Sequence, residues 1–404
     1  MIASTLRHPF RRFSSLTTDR RAYQKLKPAE KKVLFNFLGF DRLNIWSNNS
    51  THTAHFFCSM LGFHLVDFAN AYTGQKHINT FFLQNGNVRL RIDSPISAQC
   101  TQFTDFLAKH GDSIHSVASR IDDVDALASH LMRLNEKFEM TNETEDRFGA
   151  KKELKIHLGE MTHSFVERGG PAQPGHPHSE QEMNYAFMET NNKQFGDVTF
   201  GKIDHVGIPQ HAGGMKPAVN RFYDLLGFYH FWSVDDKVIF SDKATLNSTV
   251  ISSFDESVKF PIFEPVQKLV KSQIQEFIDY NGGPGVQHVA ITVKDIIAVV
   301  KNLRSRGLTF LKANPSYYEI VEKKLKECGL QLKEDMAQLK ELDILIDFDR
   351  QGYLLQIFTH PVMDRPTLFF EFIQRENHEG FGEGNFQRLF ESIEMEQKKR
   401  GNFN

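Results

Sequence analysis

The chain repeats itself. Phe40-Asp41-Arg42-Leu43-Asn44-Ile45 aligns with Ile203-Asp204-His205-Val206-Gly207-Ile208, and each stretch is followed roughly twenty residues later by Leu-Gly-Phe, at Leu61 to Phe63 and at Leu226 to Phe228. Further on, Ile114-His115-Ser116-Val117-Ala118 aligns with Val286-Gln287-His288-Val289-Ala290. Ser164-Phe165-Val166-Glu167-Arg168 aligns with Glu371-Phe372-Ile373-Gln374-Arg375. A long internal repeat restricts the fold to two similar units, and a demand of folding alone should keep similar side chains in both. Three positions break that rule. His205 faces Arg42, His288 faces Ser116 and Glu371 faces Ser164. The contrast points to a metal in the second copy and none in the first.

At 404 residues the chain exceeds one ordinary core, and the repeat favours two domains. Basic and acidic residues nearly cancel, 48 against 50, which argues against nucleic acid or an anionic membrane as partner. A small, neutral partner fits better. Cys58, Cys100 and Cys328 form no CxxC pair, so neither a disulfide framework nor a zinc knuckle is expected, and a reducing compartment fits. No apolar run reaches the roughly 18 to 20 residues that span a bilayer. The first eighteen residues carry Arg7, Arg11 and Arg12 with no acidic residue before Asp19, the composition of a mitochondrial presequence, with a cytoplasmic basic tail as the alternative.

Each half divides again into two strand openings, each followed by a helix and alternating strands, so a β-α-β-β-β module used four times accounts for an α+β chain. Helices are expected over residues 51–61, 124–134, 217–226 and 295–306, where apolar residues fall at helical spacing. Thr80 to Leu83 and Thr249 to Ile251 read as strands, and Asn85-Gly86-Asn87 as a hairpin turn. The expected divisions are an N-terminal extension over 1–39, a metal-free domain over 40–168, a polar linker over 169–200 and a catalytic domain over 201–404. The last module carries a helical insertion, Tyr317 to Leu342. Phe386, Leu389, Phe390 and Ile393 then follow the i, i+3, i+4, i+7 pattern of an amphipathic closing helix.

Two imidazoles and one carboxylate form a facial triad, which holds iron(II) by one face and leaves positions open for substrate and oxygen. Zinc suits the same three ligands, but open positions and a reducing setting favour iron(II). The spacing is long, 288−205 = 83 and 371−288 = 83, so only the fold can assemble the site. A single histidine is more often an ordinary core residue; the joint pattern of His205, His288 and Glu371 reverses that. His176, His178, His211, His360 and His378 are rivals, read as structural or exposed because none lies in a strand matched by the repeat.

From Phe40 to Phe403 the chain resembles the 4-hydroxyphenylpyruvate dioxygenase family of the vicinal-oxygen-chelate superfamily. The resemblance is densest in Ser272-Gln273-Ile274-Gln275-Glu276, Gly285-Val286-Gln287-His288, Gly352 to Phe358, Asp364 to Glu371 and Gly380 to Phe386. It implies two vicinal-oxygen-chelate domains, each an open β-barrel of paired modules, with iron at His205, His288 and Glu371. It further implies that Gln273, Gln356 and Phe386 stand at the reacting groups, and that Ser248, Gln287, Phe358, Phe369, Phe381 and Asn385 bind substrate. Aromatic walls suit an aryl ring, and amides and a hydroxyl suit its phenol and carboxylate. Gln287 is harder to place, because beside His288 a regular strand would point it away from the metal. One position departs from the family: where Pro-x-Asn-Glu-Pro is usual, this chain reads Pro261-Ile262-Phe263-Glu264-Pro265, so Phe263 removes a pocket amide and adds bulk.

The reaction implied by the resemblance converts 4-hydroxyphenylpyruvate and dioxygen to homogentisate and carbon dioxide in tyrosine and phenylalanine catabolism, in a homodimer that engages neither nucleic acid nor membrane. The alternatives are a hydroxymandelate synthase-like or other aryl 2-oxo acid oxygenase, made credible by Phe263, and a non-catalytic paralogue.

Overall fold

The computed structural model describes residues 27–142, 148–169, 190–234, 245–266 and 270–402. The basic N-terminal segment, His176 and His178 lie outside these residues, as does most of the expected linker. The first half runs β1 (Phe37–Trp46), α1 (Ser50–Leu61), β2 (His64–Ala69), β3 (Ile78–Asn85), β4 (Val88–Pro95), α2 (Thr101–His110), β5 (Ser113–Ile121), α3 (Val124–Arg133), β6 (Glu139–Asn142), β7 (Ala150–Leu158) and β8 (Met161–Arg168). After the short α4 (Thr190–Phe195), which puts a helix into the expected linker, the second half repeats the order with β9 (Ile203–Pro209), α5 (Met215–Leu226), β10 (Tyr229–Val234), β11 (Thr245–Ser252), β12 (Lys259–Val266), α6 (Gln273–Asn281), β13 (His288–Thr292) and α7 (Ile296–Ser305). It ends with α8 (Pro315–Cys328), α9 (Met336–Glu341), β14 (Leu345–Phe348), β15 (Tyr353–Phe358), β16 (Phe369–Glu376) and α10 (Glu383–Lys399). The expected insertion is therefore two helices.

Each half forms one eight-stranded sheet, ordered β2-β3-β4-β1-β5-β8-β7-β6 and β10-β11-β12-β9-β13-β16-β15-β14. The first strands of paired modules meet antiparallel at the centre, Ala290 opposite His205, and each pairs in parallel with the last strand of its own module, as Ala290 does with Glu371. This is the paired-module, open-barrel fold expected from the sequence. The repeated Leu-Gly-Phe has a local cause: Gly62 and Gly227 close α1 and α5 in the left-handed region, at φ 69° and 65°, and their N–H groups cap Phe57 O and Phe222 O. Helices α2 and α6, which connect the modules, were not anticipated; Ser272 caps α6 by accepting from Gln275 N at 3.2 Å.

Aromatic contacts join the halves. Phe37 meets Phe228 edge-on at 5.1 Å, Phe57 meets Phe370 at 5.9 Å, and His163 stands edge-on to Phe222 at 5.1 Å and Phe260 at 5.4 Å. Arg365 adds a polar staple by donating to Lys109 O at 2.5 Å, Ala108 O at 3.2 Å and Tyr280 O at 2.9 Å, so the carbonyl ends of α2 and α6 share one cation.

The repeat register shows what fills the first sheet. Glu371 lies opposite Phe358 and Ser164 opposite Lys155, so two residues back Gln356 corresponds to Glu153. In the first sheet Arg42 Nη2 donates to Glu153 at 2.8 Å, Arg42 Nε to Asn44 at 3.0 Å, and Asn44 Nδ2 to Ser116 Oγ at 2.6 Å. All four groups are buried. A guanidinium held by Glu153 and Asn44 therefore stands at the position that matches His205.

Candidate metal centre and its cavity

Parity carries His205 and Gly207 on one face of β9, and His288 sits opposite Gly207 across the antiparallel pair. This register needs a glycine. A Cβ on Gly207 would lie 2.1 Å from His288 Cε1 and 2.6 Å from Nε2, so only a bare backbone lets the imidazole lie over it. The first copy has Asn44 at this position and no imidazole to accommodate.

One ligand-type atom from each of His205, His288 and Glu371 lies within 4.8 Å of the others. His205 Nε2 is 3.4 Å from Glu371 Oε2, and the two imidazoles stand edge to face with centroids 5.4 Å apart at 85°. His205 and Glu371 are buried. Asp204 Oδ1 lies 2.9 Å from His205 Nδ1, and since a carboxylate only accepts, the proton sits on Nδ1 and Nε2 is turned to the cluster. Asp204 is itself held by Arg375, whose Nε and Nη2 donate to its two oxygens at 3.0 and 2.8 Å.

Electrostatics follow from this arrangement. Burial would lift the Asp204 carboxyl, but the Arg375 guanidinium and the His205 hydrogen bond outweigh it and hold the acid well below its ordinary range. Burial would likewise depress His205, yet its bonds to Asp204 and Glu371 win and raise it. His288 is pushed well below the ordinary value by burial and by its neighbour His205. His288 Nδ1 is buried without a hydrogen-bond partner. A neutral imidazole beside a carboxylate and a second imidazole is the donor set a divalent ion takes, so the residues fit a metal.

The cluster opens into a cavity walled mostly by apolar and aromatic side chains with a few polar groups among them, the lining of a small-molecule site. His205, His288, Glu371, Ser248, Phe263, Gln273, Gln287, Phe358, Phe369 and Phe381 all line it. Gln287 reaches the cavity although its backbone is still bonded to both neighbouring strands, through Gly207 O and Phe369 N; its Nε2 lies 3.4 Å from Gln273 Oε1. Three implied residues stand differently. Gln356 is buried but does not line the cavity; both ends of its amide lack partners, and it abuts Gly382, where a Cβ would fall 2.2 Å from Gln356 Oε1. Asn385 is buried beside the hydroxyl of Tyr317 from the inserted α8, at 2.8 Å. Phe386 belongs to α10, and its side chain lies outside the described residues.

Trp232, Leu246 and Val250 on strands and Ile274 on α6 also line the cavity and were not foreseen, because apolar periodicity gives no sign of which buried face meets a ligand. Leu389 and Ile393 of α10 complete the wall. Asp204 and Arg375 escaped notice for the opposite reason: they match Asp41 and Arg168, so the contrast between copies passed over them. Among the rival histidines, His211 is exposed, and His378 is buried and accepts from Gly380 N at 3.1 Å.

No family model matches the chain. Named relatives do match, over nearly their whole length. The 4-hydroxyphenylpyruvate dioxygenase of Danio rerio is 39% identical over 379 residues, covering 92% of this chain and 94% of the relative. The chain belongs to the 4-hydroxyphenylpyruvate dioxygenase family. Family members from Dictyostelium discoideum, at 37% identity with 90% and 99% coverage, and Coccidioides posadasii, at 38% with 93% and 97%, match comparably. Among solved structures, a mutant 4-hydroxymandelate synthase from Streptomyces coelicolor superposes with a TM-score of 0.74 at 24% identity, covering 89% of this chain and 98% of that one. A xylose isomerase-like TIM barrel/4-hydroxyphenylpyruvate dioxygenase fusion protein gives 0.68 at 16%, covering 91% of this chain and 54% of that one. These two share the fold of the dioxygenase family. No described helix is long and apolar enough to cross a membrane.

Proposed function

We propose that the chain is an iron(II)-dependent dioxygenase that converts 4-hydroxyphenylpyruvate and dioxygen to homogentisate and carbon dioxide. The observation that carries this reading is the meeting of His205, His288 and Glu371 at the wall of a mostly apolar cavity, in a chain of this family. These three residues would hold the ion, and ferrous iron supplies open positions for the 2-oxo acid and dioxygen together with the electrons that activate oxygen.

The rest is work for the protein's own side chains. Phe358, Phe369 and Phe381 offer aromatic faces to the ring, while Ser248, Gln273 and Gln287 are the neutral polar groups able to bond its phenol or carboxylate. Leu389 and Ile393 lay the apolar stripe of α10 against the cavity and keep water from the reacting groups. Asp204 keeps the His205 proton on Nδ1, so the ring can present Nε2 as a donor of its lone pair.

The homodimer belongs to the same reading and is supported by the family resemblance. The domain division is supported by one complete sheet on each side of residues 169–200. A second reading, an oxygenase for a less polar aryl 2-oxo acid, is favoured by the Phe263 ring, which stands in the cavity beside His288 where the family has an amide.

The test is anaerobic reconstitution with ferrous iron, then oxygen uptake on adding 4-hydroxyphenylpyruvate and identification of the aromatic product. Homogentisate supports the first reading, a hydroxymandelate or preferential turnover of phenylpyruvate the second. Iron bound without oxygen uptake on either acid would discard both.

A further inference from the structure

One ion pair occurs in both halves. Arg168 forks onto Asp41, with Nε at 2.7 Å and Nη2 also in contact, and ties the start of β1 to the end of β8. Arg375 forks onto Asp204 in the same way between β9 and β16. Since the first pair exists in a sheet with Arg42, Ser116 and Ser164 at the matching positions, the fork is a device of the fold, and there too Asp41 accepts from the residue that follows it, Arg42 Nη1 at 3.2 Å. In the second half the residue so held is a ligand-type imidazole, and the guanidinium reaches the backbone before α10 as well.

On one side, Asp204 accepts from His205 Nδ1 at 2.9 Å. On the other, the remaining guanidinium nitrogen, Arg375 Nη1, donates to Gly380 O at 2.6 Å and His378 O at 3.1 Å. These two carbonyls belong to the turn that delivers Phe381, whose ring lies 5.1 Å from the His205 imidazole and 5.8 Å from the guanidinium carbon. Gly382 follows at φ 77° and opens α10. A single planar group with donors in a rigid fork thus touches both the carboxylate that orients His205 and the backbone that seats the start of α10.

We propose that Arg375 is a positioning residue that couples the orientation of His205 to the seating of the 378–381 turn, so that docking of α10 on the cavity and alignment of the metal ligand are one event. The inference rests on the metal-site reading above. Lysine at this position would keep the charge beside Asp204 but lose the fork and the reach to the two carbonyls.

The experiment compares wild type, Arg375→Lys and Arg168→Lys, the last measuring what loss of a fork costs the fold alone. In Arg375→Lys, ferrous affinity measured by chelator competition falls about tenfold, KM for the oxo acid rises more than kcat falls, and proteolysis releases α10 faster in the metal-free protein. Arg168→Lys moves none of these. Equal changes in the two variants, unchanged ferrous affinity in Arg375→Lys, or unchanged proteolysis of α10 overturn the coupling. Absence of ferrous binding by the wild-type chain overturns the functional reading instead, and the metal-free proteolysis tells the two failures apart.

Discussion

The Phe263 ring lies nearly parallel to the His288 imidazole, with centroids 5.9 Å apart at 14°, and Phe369 lies almost parallel to the same imidazole at 5.4 Å and 21°. A ligand-type histidine is thus flanked by hydrocarbon where the family usually offers an amide. We expect Phe263→Asn to raise kcat/KM for 4-hydroxyphenylpyruvate relative to phenylpyruvate by about fivefold, the worth of one gained hydrogen bond, while lost packing lowers stability by about 2 kcal/mol. Steady-state kinetics on both acids check this, and an unchanged ratio removes Phe263 from the specificity argument.

Gly207 should tolerate no side chain. With a Cβ only 2.1 Å from His288 Cε1, Gly207→Ala must displace the imidazole, at a packing cost of about 1–3 kcal/mol and a loss of ferrous affinity of more than about tenfold. Metal content after reconstitution, read beside a thermal melt, decides it. A variant that binds iron normally shows that His288 does not need this contact.

Arg400 fixes the far end of α10 by donating to Glu276 at 3.1 and 2.6 Å, and Glu276 is buried in the helix that begins at Gln273. Arg400→Ala leaves a buried carboxylate short of its partner, so stability should fall by about 1–3 kcal/mol and KM should rise, since Leu389 and Ile393 then dock less firmly. Urea unfolding and substrate titration measure the two effects. A change in neither leaves α10 anchored by other contacts.

His163 ties acid stability to the contact between halves. Burial among aromatic rings pushes its pKa down from 6.5 to about 3. Above the unfolded value neither state carries the proton; below it the unfolded chain takes one up and the folded chain does not, so stability is lost as pH falls from 6.5 towards 3. At about pH 5 this amounts to about 2 kcal/mol, and His163→Leu should flatten the acid limb by that much in urea melts run at about pH 7 and pH 5. An unaltered limb assigns the acid sensitivity to other groups.

Much of this molecule could be read from residue order because the repeat compares two sheets at matched positions. His205, His288 and Glu371 stood out against Arg42, Ser116 and Ser164 since ligand chemistry demands particular atoms. The four modules followed from helical and strand periodicity, closed by Gly62 and Gly227. Other features depend on geometry that periodicity does not encode. Gln287 lines the cavity although it stands next to His288, and Gln356 turns to Gly382 rather than to open space. Asp204 and Arg375 were hidden by likeness to the first copy, since a residue retained for folding shows no contrast when it gains a second duty.

In the first sheet, the Arg42 guanidinium donates to both Glu153 and Asn44. Its positive charge is covalently part of the polypeptide and is present from the moment of synthesis, whereas the matching place in the second sheet holds His205 with His288 and Glu371. The first sheet is therefore complete as synthesised, whereas the second gains its balancing charge from whatever proton or ion His205, His288 and Glu371 take up.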